Sequence, residues 1–62
     1  MQTIIRRIKG ECEKAGIENF TVKGFPGEGY QINVNSVKAV FQAEEVAKLI
    51  HSLYGAEVLV GF

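Results

Sequence analysis

Cys12 and His51 are the only thiol and the only imidazole of the chain, so they are the first candidates for nucleophilic chemistry. A cysteine nucleophile needs a base within hydrogen-bond reach and a third group that orients the base. Cys12 falls in the apolar stripe of a predicted helix, whereas His51 falls about opposite the apolar stripe of a second helix. We therefore expect a core thiol and a solvated imidazole, and we predict no catalytic residues and no enzyme activity.

Three glycines within residues 24–29 suggest a second kind of chemistry, the cradling of a phosphate by a glycine-rich loop. Such loops open onto the N-terminus of a helix, which holds the phosphate. Here the segment lies between two strand-like runs, and Glu28 stands where an anion would sit. Turn formation accounts for the glycines, so we predict no phosphate site and no cofactor.

Composition and charge exclude further classes of site. A zinc site takes about four Cys, His or carboxylate ligands, whereas this chain has one Cys and one His. A single Cys also allows no intramolecular disulfide. The basic and acidic residues balance at seven each, so no net charge concentrates nucleic acid around the molecule. Residues 1–7 lack the order of a signal peptide, and the apolar runs fall far below the ~18 residues of a membrane span. We expect a cytoplasmic protein with no metal and no membrane contact.

Hydrophobic spacing predicts one α+β domain over residues 1–62 with two helices. Ile4, Ile8 and Cys12 recur at helical spacing in the first helix, from Thr3 to Ala15. Gly16 suits the left-handed residue that ends a helix, with Ile17 packing back on the last turn. The second helix is predicted over residues 43–54, where its apolar stripe is formed by Val46, Leu49, Ile50 and Leu53.

Alternation of apolar and polar residues predicts four strands, at Phe20–Gly24, Tyr30–Val34, Val37–Phe41 and Glu57–Phe62. For the apolar faces of the first two strands to coincide, the even-numbered residues must pair. The expected pairs are Phe20 with Val34, Val22 with Ile32, and Gly24 with Tyr30. A two-residue turn at Asn35 and Ser36 would pair the third strand with the second.

The predicted fold is a helix, a three-stranded antiparallel meander, a second helix and a C-terminal strand (α-β-β-β-α-β), with both helices on one face of the sheet. The last strand is expected to lie parallel beside the first, or to pair with a neighbouring subunit. The predicted core face of the sheet consists of Phe20, Val22, Ile32, Val34, Ala39, Phe41, Val58 and Val60.

The small size of the domain points to an interaction module. A chain of 62 residues buries only about 60% of the surface that its unfolded form exposes, and such chains often need a disulfide, a metal or a partner. We therefore predict a non-catalytic protein-interaction module that binds another protein or forms a homo-oligomer. The predicted partner-binding residues lie on the open sheet face or at the loop tip, and they are Phe25, Lys38, Val40 and Leu59.

A basic cluster supports an alternative function, binding of nucleic acid. Arg6, Arg7 and Lys9 lie early in the first helix, where positive charge opposes the helix dipole, and Lys23 is expected on the open sheet face. These four residues form the alternative site.

The predicted order of helix, three strands and helix over Thr3–Tyr54 resembles the topology of double-stranded-RNA-binding domains. The resemblance implies a small nucleic-acid-binding protein that uses the face of Arg6, Arg7 and Lys9. Domains of that family begin their last helix with basic residues that contact phosphates, whereas Glu44 and Glu45 occupy this position here.

Overall fold

The computed structural model describes residues 3–25 and 27–62, except for the side chain of Thr3. Residues 1, 2 and 26 of the predicted domain lie outside this part. The elements in chain order are α1 (Thr3–Lys14), β1 (Phe20–Phe25), β2 (Gly29–Val34), α2 (Val37–Tyr54) and β3 (Val58–Gly61). The predicted α+β class with two helices is confirmed, and so is a last strand that follows the second helix.

Helix α1 buries one face and ends as its sequence predicts. Ile8 and Cys12 are fully buried. Gly16 has φ +85° and donates its N–H to the carbonyl of Glu13 at 3.1 Å, while the N–H of Ile17 reaches the carbonyl of Cys12 at 3.1 Å. This pair of bonds is the Schellman arrangement, which satisfies the last carbonyls of a helix. Ile17 is buried beside it.

Strands β1 and β2 form the predicted antiparallel hairpin in the predicted register. Phe20 lies opposite Val34, Val22 opposite Ile32, and Gly24 opposite Tyr30. This register places the apolar residues of both strands on one face of the sheet. A shift of one residue would turn one strand's apolar residues to the solvent side.

The prediction of a third meander strand over Val37–Phe41 is wrong, because these residues form the first turns of α2. Ser36 caps the helix, with its Oγ accepting the N–H of Ala39 at 3.1 Å and its own backbone extended. The alternation of apolar residues over Val37–Phe41 is the start of a helical pattern that continues along α2. The residues of α2 that the core buries are Ala39, Ala43, Val46 and Ile50.

The predicted position of the last strand is also wrong. The sheet has the order β1-β2-β3, and β3 runs parallel to β2 with Tyr30 opposite Val58 and Ile32 opposite Val60. Because no strand follows β2 directly, its outer side is free for β3, and α2 is the crossover that a parallel pair needs. With only two strands between the helices, the order no longer matches that of double-stranded-RNA-binding domains.

Both helices pack on one face of the sheet, as predicted. Helix α1 contacts β1 and α2, and α2 contacts β2 and β3. One predicted core position needs correction, since Phe41 is 66% exposed on the outer side of α2. The buried core consists of Ile8, Cys12, Ile17, Ile32, Val34, Ala39, Ala43, Val46 and Ile50.

Candidate functional site

Cys12 and His51 lie in the environments expected of a core thiol and a surface imidazole. Cys12 is fully buried, and its burial, with smaller contributions from the charges of Glu11 and Glu13, raises its pKa from 9.0 to about 11. The nucleophilic form of cysteine is the thiolate, which this pKa disfavours at neutral pH. His51 is exposed in the last turn of α2, with Nδ1 3.2 Å from the carbonyl oxygen of Ala56.

The glycine-rich segment joins two antiparallel strands, as its sequence indicates. The N–H of Glu28 donates to the carbonyl of Phe25 at 2.9 Å and closes the turn, and Gly27 has φ +76°. An open cleft of about 550 Å³ lies beside this turn. Its lining includes Ile4 and Ile5 from α1, and two of its side chains are the carboxylates of Glu28 and Glu57. These carboxylates disfavour an anionic ligand.

The side of the sheet away from the helices is open and largely polar. Its residues form two rows across the strands, Thr21–Asn33–Gly61 and Lys23–Gln31–Leu59. The side-chain amides of Gln31 and Asn33 lie over Gly61, because a Cβ built there would be 3.0 Å from Gln31 Nε2 and from Asn33 Oδ1. Leu59 stands out at the β3 end of its row, with 65% of its surface exposed.

The four predicted partner-binding residues fall into two groups. Phe25 and Leu59 lie on the open sheet face and are exposed. Lys38 and Val40 belong to α2, in the other layer, so their predicted place on the open sheet face is wrong. Val40 is half-buried against the core, and Lys38 is exposed in the first turn of the helix.

The outer edge of β3 presents backbone groups that β2 does not use. The N–H of Tyr30 donates to the carbonyl of Glu57 at 2.8 Å. Because backbone groups point to alternate sides along a strand, Glu57 and Leu59 face β2, while Val58 and Val60 direct their N–H and C=O groups outward. No strand of the described part of the chain pairs with this edge.

The two edges of the sheet differ in how they are protected. Edge strands are commonly guarded against foreign strands by charged residues, by Pro or by bulges. On β1, Lys23 supplies such a charge. The four residues of β3, Val-Leu-Val-Gly, contain no charge and no Pro, so β3 is the unguarded edge.

A flank of α2 lies next to this edge. Gln42 donates its Nε2 to the carbonyl of Ala15 at 2.9 Å, which places α1 on that side of α2. At 100° per residue, Val40 and Ala47 fall on the other flank, and both are half-buried. Since α1 contacts β1 and α2 contacts β3, Val40 and Ala47 lie on the side of the unguarded edge.

Sequence reasoning missed the apolar residues on the outer side of α2. Val37 and Phe41, one turn apart, are 64% and 66% exposed. Leu49 and Leu53 were predicted in the apolar stripe of this helix, but they are 37% and 52% exposed and continue the same four-residue ridge, which Glu45 interrupts. The spacing of four residues and the capping residue Ser36 are the sequence signals that identify this ridge.

The basic residues of the alternative site are divided between two layers. Arg6, Arg7 and Lys9 are exposed on α1, whereas Lys23 lies on the open sheet face. Arg7 is paired with the carboxylate of Glu11, with Nε and Oε2 3.1 Å apart. The four charges therefore form no single patch, and nucleic-acid binding stays a prediction.

Other sites and other proteins give no further assignment. Over residues 3–25 and 27–62, no group of three or more His, Cys, Asp or Glu side chains is arranged to hold a metal ion. In the same part of the chain, neither helix has the length and apolarity needed to cross a membrane. Comparison with protein-family models, with curated proteins and with solved structures finds no match to this chain.

Proposed function

We propose that the chain is a non-catalytic protein-interaction module that binds an extended segment of protein along the outer edge of β3. The observation that carries the proposal is the uncharged edge itself, where Val58 and Val60 present outward backbone donors and acceptors. Addition of a strand to such an edge is a common mode of peptide recognition, in which backbone hydrogen bonds supply affinity.

The surroundings of the edge favour a partly apolar segment. Successive side chains of an added strand point to opposite faces of the sheet. On the open face they would meet Leu59, and on the helix face they would meet the flank formed by Val40 and Ala47. Because the edge has no charge of its own, we expect binding to change little with salt, in contrast to binding of nucleic acid.

A synthetic peptide with the sequence of residues 56–62, labelled with a dye, is a suitable probe. Fluorescence anisotropy is expected to show saturable binding to the chain. A matched peptide, N-methylated at the positions that correspond to Val58 and Val60, lacks the donors of one strand edge and is expected not to bind. Equal binding of both peptides would contradict the proposal.

A variant of the chain locates the binding surface. Val58→Pro removes an N–H that points away from β2, so the bonds within the sheet remain, and Pro is tolerated at the first residue of a strand. Val58→Thr keeps the N–H and the branched shape, and is the matched control. Loss of peptide binding in Val58→Pro alone, with an unchanged circular dichroism spectrum, is the expected result. Unchanged binding in Val58→Pro would refute the assignment to this edge.

A further inference from the structure

We propose that the partner strand belongs to a second copy of this chain, and that two β3 strands pair antiparallel about a two-fold axis at Leu59. This inference rests on the proposed function, since it uses the same edge of β3. It predicts a symmetric dimer with one continuous six-stranded sheet.

The direction of the backbone groups fixes the register of such a pair. With the axis at Leu59, Val58 of each copy lies opposite Val60 of the other, and both residues point their N–H and C=O groups across the interface. Residues that face each other in this way exchange two hydrogen bonds, so the two symmetric pairs form four. Leu59 then meets Leu59 of the second copy in a non-hydrogen-bonded pair, where the Cα atoms are about 4.5 Å apart.

The strand is complementary to itself in charge and in shape. A two-fold interface brings the same surface patch together from both copies. A charged residue on β3 would therefore be repelled by the same charge on the second copy, and β3 has no charged residue. The Leu59 side chains, each 65% exposed, would cover one another on the open face. The apolar side chains of Val58 and Val60 continue the helix-side face across the interface.

The helix layer adds to the contact area. The two-fold axis places the α2 helices side by side and antiparallel, with the flanks of Val40 and Ala47 facing each other. A stable interface buries about 800 Å² on each partner, which is about a fifth of the 4287 Å² of accessible surface of the chain. Four strand residues cover only part of such an area, so these flanks are needed as well.

The proposed pairing also ends the growth of the sheet. Both β3 edges are used in the dimer, and the two edges that remain are β1 strands. Each of them carries Lys23, whose charge opposes the addition of a further strand. The arrangement therefore predicts dimers rather than fibres.

A charge-swap experiment tests the axis at Leu59. Leu59→Lys and Leu59→Glu place like charges opposite each other in the dimer, and because Leu59 lies on the open face, neither change alters the core. Sedimentation velocity at 1–100 µM, a range of about two decades chosen around typical dimer affinities, is expected to show a dimer for the unchanged chain. Each variant alone is expected to dissociate at a concentration about tenfold higher or more.

The mixture of the two variants gives the decisive result. An equimolar mixture of Leu59→Lys and Leu59→Glu is expected to recover the dimer, because opposite charges then meet across the axis. Phe41→Lys and Phe41→Glu change the net charge equally on an exposed site of α2 away from the edge, and they are expected to leave the dimer of each variant intact.

Three outcomes would overturn the inference. They are a chain that is monomeric throughout the concentration range, a dimer that both Leu59 variants leave unchanged, and a mixture that stays dissociated. A monomeric chain that still binds the peptide of residues 56–62 would refute the second copy while leaving the proposed function standing. If the peptide does not bind and the dimer is unchanged by the Leu59 and Val58 substitutions, both the proposed function and the symmetric dimer are refuted.

Discussion

Gly29 is the position where one added methyl group should do the most damage to the sheet. The residue begins β2 with φ +124°, a conformation open essentially to Gly alone. A Cβ built on it would be 2.6 Å from the carbonyl oxygen of Glu57. That oxygen accepts the N–H of Tyr30 at 2.8 Å. The methyl group of Gly29→Ala would therefore push Glu57 away from β2 and break the first hydrogen bond between β2 and β3.

The expected cost has two sources. A non-glycine residue held in a disfavoured backbone region costs about 1–3 kcal/mol, and loss of the hydrogen bond from Tyr30 to Glu57 adds about 1 kcal/mol. The obstructing atom belongs to the backbone, so no flexible side chain can move aside. We expect Gly29→Ala to lower the free energy of unfolding by about 2–4 kcal/mol.

Two other glycines provide matched controls for urea denaturation followed by circular dichroism. Gly27 also has positive φ, +76°, but a Cβ there meets nothing within 4 Å, so Gly27→Ala should cost only about 1–2 kcal/mol. Gly10 lies within α1 with open space around it, and Gly10→Ala should stabilise by about 1 kcal/mol. All measurements use one protein concentration, because association would add to the apparent stability. A cost for Gly29→Ala no larger than that for Gly27→Ala would refute the reasoning.

Three further changes test the helix start, the buried thiol and the core. Ser36→Ala should lower the free energy of unfolding by about 1 kcal/mol, and Ser36→Gly by only a few tenths, because glycine also caps helices well; equal losses would argue against the cap. The pKa of Cys12 is raised on folding from 9.0 to about 11, so the folded state favours the neutral thiol. The raised pKa therefore adds to the free energy of unfolding in full below pH 9, and this stabilisation of about 2–3 kcal/mol is lost as the pH rises to about 11. Cys12→Val should not show this loss in the same pH series. Ile50→Ala should cost about 2–5 kcal/mol, as buried truncations do, whereas Phe41→Ala on the exposed side of α2 should change the unfolding free energy by less than about 0.5 kcal/mol.

The sequence predicted the hairpin in detail because two constraints agreed. The period-two pattern from Phe20 to Val34 allows one parity of pairing, and the turn between the strands has the length that this parity requires. The end of α1 was equally predictable, because Gly16 followed by an apolar residue is a local signal that depends on no distant contact.

The start of α2 was not predicted because a short apolar run fits two periods. Val37, Ala39 and Phe41 alternate as a strand would, but Ala39 also belongs to a helical series with Ala43 and Val46. Five residues cannot distinguish these periods, and burial of alanines, which are small and weakly apolar, is hard to recognise in a sequence. The same error affected the prediction of partner-binding residues, because Lys38 and Val40 were assigned to a strand but lie in α2.

The position at which α2 begins decides which strand is available to a partner. If Val37–Phe41 formed a strand, it would cover the outer side of β2, and β3 would have to find another place. Because Ser36 instead starts a helix, β3 takes that side, and its uncharged outer face becomes an edge of the sheet. The same helix start brings Val40 to the flank of α2 beside that edge. A change that weakened the Ser36 cap should therefore weaken dimerisation as well as stability, whereas Phe41→Ala, on the outer side of the same helix, should alter neither.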